Sequence, residues 1–257
     1  MGHVQVERSQ GIVTVTLSNP AKRNAIPVGA WPEIEAVFRE VGRRRDDRCV
    51  VLTGDGDDFT SGADVTTGAS DDVGHPLRAM RAISGAIEAL HGLPQPVVAR
   101  VSGVCVGIGL NMALACDIVV ASDDARFSEI FVRRGLSIDG GGSWSLPRTV
   151  GLLRAKELAL LGDIITAAEA ERVGLVTRVV PRVDLDATVA DLATRLAAGP
   201  SLALSMTKRL LDSSAQLTLA QALEAEAQAQ IVNFGTKDTA EALLAFAERR
   251  EPRFEGA

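Results

Sequence analysis

The sequence predicts an α/β fold, and three observations carry that reading. Short apolar runs bounded by turn residues recur at 12–17, 49–53, 97–101, 117–121 and 175–180, with the lengths expected of buried strands. Between them, apolar residues recur at helical spacing: Trp31, Ile34, Phe38 and Val41, then Leu77, Met80, Ile83, Ile87 and Leu90. Strands alternating with helices in this way build α/β architectures. Beyond about Asp184 the strand-like runs stop and Ala-rich amphipathic helices follow one another, with Gly199 and Pro200 breaking the first from the second. A third begins at Leu217, Leu219, Ala222 and Leu223, and a fourth near Asp238 carries Leu243, Leu244 and Phe246. So small a helical appendage has too little core to stand alone, so it is expected to pack on the main body, on a neighbouring subunit, or on both.

Composition narrows the function classes. With 257 residues and 46% hydrophobic side chains, the chain can bury a sizeable core. Its net charge of -6, from 33 acidic against 27 basic residues, and the lack of a long basic run argue against nucleic acid as a partner. Arg43, Arg44 and Arg45 are followed at once by Asp46 and Asp47, which reads as a solvated helix end. No apolar run reaches the length of a membrane span, and the first residues lack the apolar core of a signal peptide, so a cytoplasmic protein without a membrane partner is expected. Cys49, Cys105 and Cys116 form no Cys-x-x-Cys pair. They read as buried free thiols, and neither a disulfide framework nor a metal site is expected.

Three stretches carry glycines where chemistry is done. In VVLTGDGDDFTSGADV, residues 50–65, a buried strand runs into an acidic, Gly-rich loop ending at Ser61, Gly62, Ala63 and Asp64. The Gly before Ala63 lets the backbone turn and leaves its N–H unblocked, although an ordinary strand-to-helix turn would look the same. In VVARVSGVCVGIGLNMALACDIVVA, residues 97–121, a strand meets Gly103, Gly107 and Gly109 before a helix opens near Leu110. Amides at such a helix start point outward and favour negative charge. A dinucleotide site is disfavoured because Met112 stands where the third fingerprint glycine belongs, and no Walker lysine follows. In ARFSEIFVRRGLSIDGGGSWSLPRTVG, residues 125–151, Asp139 precedes Gly140, Gly141 and Gly142. A nucleophile elbow fails there, since Ser145 rather than Gly lies two residues after Ser143. Taken alone, Asp139 reads first as a turn or cap residue.

Together these stretches resemble the crotonase superfamily, the enoyl-CoA hydratase and isomerase family, over nearly the whole chain. LSNPAKRNA at 17–25 resembles that family's CoA-contacting stretch, and Ser61 to Asp64 its first oxyanion-hole segment. Gly103 to Asp117 resembles the second segment, LGDIITAAEAERVGLV at 161–176 its following helix and strand, and AFAERREPRFEG its C-terminus. The resemblance implies a repeated ββα spiral core, the ClpP/crotonase fold, over 1–195 and a helical oligomerisation region over 196–257. A homotrimer or dimer of trimers is implied with it. It implies that the N–H groups of Ala63 and Ile108 bind a thioester oxygen, with Ile108 replacing a commoner glycine, which a main-chain donor tolerates. Removing a proton beside a thioester carbonyl makes an enolate, and preorganised donors stabilise that charge. Further implied contacts to the acyl-CoA are Lys22, Arg23, Ala25, Ala63, Asp64, Val65, Gly107, Asn111 and Phe131, with Lys22 and Arg23 as phosphate partners and Trp144 lining the acyl pocket. Arg249 and Arg250 match positions that approach CoA. Coenzyme A enters as part of the substrate, and no other cofactor is implied.

The chain departs from the family at two positions. The glutamates with which family hydratases handle water align with Asn111 and Phe131, neither of which takes a proton. Asp139 aligns instead with a functional aspartate of several crotonase isomerases and dehalogenases, and a double-bond shift needs only one base. The expected function is therefore isomerisation of an unsaturated acyl-CoA with Asp139 moving the proton. The alternatives are hydration of a 2-enoyl-CoA and a catalytically silent acyl-CoA-binding oligomer. Glu129, the other acid near this region, ranks below Asp139. The stretch after Asp64 that holds His75 reads as a flap over the substrate.

Overall fold

The chain is described by a computed structural model covering residues 3–64 and 75–257. Val65 and the rest of the expected flap before His75 lie outside the described residues. Six strands form the main sheet in the spatial order β1 (Val4–Ser9), β2 (Ile12–Leu17), β3 (Cys49–Gly54), β4 (Val97–Val101), β6 (Ile118–Ser122) and β9 (Arg178–Val180). β1 and β2 are antiparallel; every other neighbouring pair is parallel. A second sheet holds β5 (Val104–Val106), β7 (Arg126–Ser128) and β8 (Ile165–Thr166). The β4–β5 and β6–β7 units each lay one strand in the large sheet and the next in the small one before a helix or helical turn follows. That alternation is the spiral.

Burial on both faces explains the continuous apolar runs of the parallel strands. Val50, Leu52, Val97, Ala99 and Ala121 join the principal core with Trp31, Ile34 and Phe38 of α1 (Trp31–Val41). Cys49, Val51, Val98 and Val120 face the other way, against Leu185, Val189, Leu192 and Ala193 of α7 (Leu185–Ala198). Helix α7 runs unbroken through position 195 and is packed on the sheet, so the edge expected between core and appendage falls inside it. Burial also holds the Cys49 thiol up at about 12, and Cys105 is raised well above its ordinary value, so both are inert.

Several elements differ from the sequence reading for identifiable reasons. The strand expected at 175–180 is shorter, because the Leu175 N–H donates to the Ala170 carbonyl at 2.8 Å and closes the turn after α6 (Ala167–Arg172). In α2 (Pro76–His91), Ile83, Ile87 and Leu90 are buried, whereas Leu77 and Met80 are exposed. Helix α2 has 16 residues and its partner α1 has 11. At about 1.5 Å per residue its first turns overhang. β1 was not anticipated because it is a polar edge strand, and β5, β7 and β8 span only two or three residues each.

The appendage comprises α8 (Ser201–Ser214), α9 (Leu219–Phe234) and α10 (Lys237–Glu248). Lys208 Nζ, 2.8 Å from Asp117 Oδ2, and Arg48 Nη2, 2.8 Å from the Gly199 carbonyl, fasten its start to the body. α8 and α9 fully bury no residue within the chain. Among the described residues no helix is long and apolar enough to cross a membrane.

Candidate active site

The site begins where three backbone segments run side by side. Ile26 N–H donates to the Gly62 carbonyl at 2.8 Å, and Asp64 N–H donates to the Ile26 carbonyl at 2.9 Å. Because backbone groups alternate in direction along an extended strand, Ala63 between them turns its own N–H away from Ile26. On the other flank, Thr60 N–H donates to the Val104 carbonyl at 2.9 Å and Val106 N–H to the Thr60 carbonyl at 3.2 Å. The loop carrying Ala63 is therefore pinned along β5, whose continuation is Gly107 and Ile108.

Gly107 sits at φ 56°, ψ -128°, a region closed to residues with a Cβ. This conformation turns the chain sharply from β5 into α3 (Ile108–Leu114), so Ile108 is the first helical residue and its N–H has no intrahelical acceptor. The helix opens two residues earlier than the sequence reading placed it. Gly62 must also lack a side chain: a Cβ there would lie 2.9 Å from the Val106 carbonyl oxygen and 3.7 Å from the Ile108 nitrogen. Two amides from separate segments thus lie side by side. Neither the Ala63 nor the Ile108 N–H has a protein acceptor among the described residues, as an anion-binding pair requires.

The third segment closes over this pair. Gly140 and Gly141 take positive φ, and Gly142 starts α4 (Gly142–Val150), its N–H donating to the Asp139 carbonyl at 3.0 Å. A Cβ on Gly140 would lie 2.9 Å from Ile108 Cδ1, and one on Gly142 would lie 2.5 Å from the Asn111 amide. Asn111 Nδ2 donates to the Asp139 carbonyl at 2.8 Å. The Asp139 turn is therefore seated directly on the start of α3.

Asp139 is partly buried, its Oδ1 receives no hydrogen bond, and burial pushes its carboxyl up to about 6. A base in that range is poised to take and return a proton near neutrality. Glu129, only 1% exposed, is pushed up to about 8 by burial first, with the Asp139 charge adding to the rise. The Asn111 amide lies near enough to oppose part of that shift. Its Nδ2 hydrogen bond nevertheless goes to the Asp139 carbonyl, so neither Glu129 oxygen has a donor. The sequence ranked Glu129 below Asp139, and nothing in its chain position reveals that it shares Asp139's surroundings.

The remaining expected residues divide. Phe131 is buried, and its ring lies 3.8 Å from where a Cβ on Gly107 would stand, so it walls the oxyanion segments. Ala25 is buried in a loop latched by Asn24, whose Nδ2 donates to the Asp55 and Asp58 carbonyls at 2.9 and 2.7 Å. Lys22 Nζ lies 2.7 Å from the buried Asp64 carboxylate, immediately beside Ala63. Arg23 is mostly exposed, 3.9 Å from Asp58. Trp144 stands in the first turn of α4. Its ring packs edge-on to His91 and beneath the Arg148 guanidinium, 4.3 Å away, and lines a cavity of about 720 Å³ with Leu114, Asp117 and Lys208. None of Ala63, Ile108 or Asp139 lines that cavity. Arg250 pairs with Glu241 and Glu248 at 2.6 Å each. Among the described residues no three His, Cys, Asp or Glu side chains converge as metal ligands.

This two-sheet spiral with a helical C-terminal region is the crotonase fold. An enoyl-CoA hydratase from Bacillus anthracis superposes with a TM-score of 0.94 at 30% identity, over 99% of this chain and 100% of that one. The family model for enoyl-CoA hydratase/isomerase matches residues 7–257. A Rhodobacter capsulatus protein described as a probable enoyl-CoA hydratase is 36% identical over 98% of both chains. The 1,2-epoxyphenylacetyl-CoA isomerase of Escherichia coli K12 is 34% identical over 100% of this chain and 98% of its own. The chain belongs to the enoyl-CoA hydratase/isomerase family.

Proposed function

We propose that this protein isomerises an unsaturated acyl-CoA through an enolate, with Asp139 moving the proton. The observation that carries this reading is the meeting of two acceptor-free amides, Ala63 and Ile108, with a carboxyl raised toward neutrality on the turn packed against them. The thioester oxygen binds between the amides, which stabilise the charge that develops when a proton leaves the adjacent carbon. Losing one such donor typically costs about 3 kcal/mol of transition-state stabilisation. Lys22, Arg23 and Asp64 lie on the segments beside Ala63 and hold the CoA moiety, with Arg23 directed at a phosphate. Since only a proton and a double bond move, the reaction requires neither a redox group nor a metal.

Hydration of a 2-enoyl-CoA is the second reading, favoured by the hydratase names of several relatives. Against it, Asn111 and Phe131 stand where family hydratases carry their two glutamates. Incubation with crotonyl-CoA and with a 3-enoyl-CoA, followed by thioester absorbance, separates the two. Isomerisation predicts turnover of the 3-enoyl-CoA, and rapid water addition to crotonyl-CoA defeats it. A silent acyl-CoA binder would be indifferent to Asp139→Asn, whereas an enzyme loses turnover and keeps its affinity for CoA.

The exposed apolar residues of α8 to α10, including Leu219, Ile231, Phe234, Leu243 and Phe246, support assembly as a trimer or dimer of trimers. Large apolar side chains left exposed along three helices are costly in water.

A further inference from the structure

We infer that Glu129 is a second catalytic carboxyl, an acid that keeps its proton in the resting enzyme and delivers it to the acyl carbon that Asp139 does not serve. The inference rests on the enolate reading above. It starts from an anomaly in hydrogen bonding. Among the described residues, seven buried side-chain nitrogen or oxygen atoms lack a hydrogen-bond partner, and four of them belong to three neighbours: Asn111 Oδ1, Glu129 Oε1 and Oε2, and Asp139 Oδ1. All four are acceptors when the carboxyls are ionised. Unpaired buried acceptors are expensive, and four side by side mark a place where a proton and a ligand belong.

Glu129 is the member of this group that must hold the proton. The ionisable groups that reach it are Asp139, on the Gly-rich turn, and Cys105, on β5, whose thiol is neutral. Neither is a cation, and no salt bridge of Glu129 occurs among the described residues. An ionised Glu129 would therefore be a buried charge with no cation beside it and only the nearby Asn111 amide, already hydrogen-bonded to the Asp139 carbonyl, to offset it. Asp139, less buried, gives up its proton first, at about 6, and its charge then helps Glu129 keep its own up to about 8. Environments that push two carboxyls apart in this way assign one as base and the other as acid.

The chemistry balances. Asp139 removes a proton from the carbon next to the thioester of a 3-enoyl-CoA, and the released electron pair delocalises as a dienolate whose oxygen lies between the Ala63 and Ile108 amides. The Glu129 O–H bond breaks as the distal carbon takes its proton, leaving the double bond conjugated with the thioester. Asp139 is then protonated and Glu129 ionised. One proton passed between them restores the resting pair, and nothing is consumed.

The test follows each half-reaction in D2O with 3-enoyl-CoA, for wild type, Asp139→Asn and Glu129→Gln. We expect Glu129→Gln to retain deuterium uptake at the carbon next to the thioester while isomerisation falls about 100-fold, within the usual range for a general acid. Asp139→Asn should lose both. An infrared difference spectrum of wild type against Glu129→Gln at neutral pH should contain a protonated-carboxyl band. Isomerisation by Glu129→Gln at the wild-type rate, parallel loss of exchange and isomerisation in that variant, or absence of the infrared band would each overturn the role of Glu129 alone. Wild type that neither exchanges nor isomerises would instead overturn the Asp139 reading, and the role of Glu129 with it.

Discussion

Asn111 Nδ2 donates to the backbone carbonyl of Asp139 across 2.8 Å, tying the helix that presents the Ile108 amide to the turn that presents the carboxyl. One hydrogen bond thereby holds the turn that carries the Asp139 carboxyl against the helix start that carries the Ile108 amide. It also gives Asn111 a bracing role between the two segments.

Replacing Asn111 with Ala should therefore cost about 1–2 kcal/mol of stability and lower kcat more than it raises KM, because the turn carrying Asp139 loses its anchor. Urea denaturation and steady-state kinetics on the same preparation check this. Unchanged kcat would show that the tether does not position the base.

Gly107→Ala places a Cβ on a backbone at φ 56°, ψ -128°, which costs about 1–3 kcal/mol or forces the turn to relax. Relaxation swings the Ile108 N–H out of line. Turnover should fall about 100-fold, the scale of one lost oxyanion donor, in a protein whose circular dichroism is unchanged.

Glu129 and Asp139 both have folded-state pKa values above their ordinary ones, so the folded protein binds more protons than the unfolded chain and loses stability as pH rises. For Glu129 the stabilisation is fully present below 4.5 and is lost by about 8. Glu129→Gln should flatten this decline and melt higher than wild type at alkaline pH, the difference being a few kcal/mol at most. For the reaction, kcat/KM should rise as Asp139 ionises near 6 and fall as Glu129 loses its proton near 8. Thermal melts and rate profiles across this range measure both.

Arg23→Ala should raise KM for acyl-CoA several-fold with kcat retained, because among the described residues the exposed guanidinium meets only Asp58, at 3.9 Å, and stands ready for a phosphate. A pantetheine thioester without the nucleotide should be turned over equally by both proteins.

Phe246 is 85% exposed and Leu243 68% exposed within the chain. Changing both to Glu should lower the mass measured by light scattering from that of a trimer or hexamer toward that of one chain. A wild-type mass equal to one chain would remove the basis of the assembly proposal.

Much of the fold was legible in the sequence because strands buried on both faces write themselves as continuous apolar runs, as 49–53 and 97–101 do. The turns that carry the Ala63 and Ile108 amides were legible for a similar reason. A backbone turn such as Gly107 admits one residue type, so chemistry done by the main chain still leaves a mark in the side chains. The three-residue strands β5 and β7 left no such mark, since so short a run has no periodicity to read. The cavity that Trp144 lines is not legible in the sequence, because nearness to Asp139 along the chain says nothing about which side of a helix a ring leaves from.

By itself, then, the sequence determined the α/β class, the helical ending, the two amide-bearing turns and Asp139 beside its glycines. Each of these depends on a local pattern of apolar spacing or backbone freedom. Only the tertiary structure decided that the amides lie side by side, that Asn111 braces Asp139, and that Glu129 is buried without a donor near the same carboxyl. Those facts depend on segments tens of residues apart being packed together, and burial and electrostatic coupling exist only once the chain has folded.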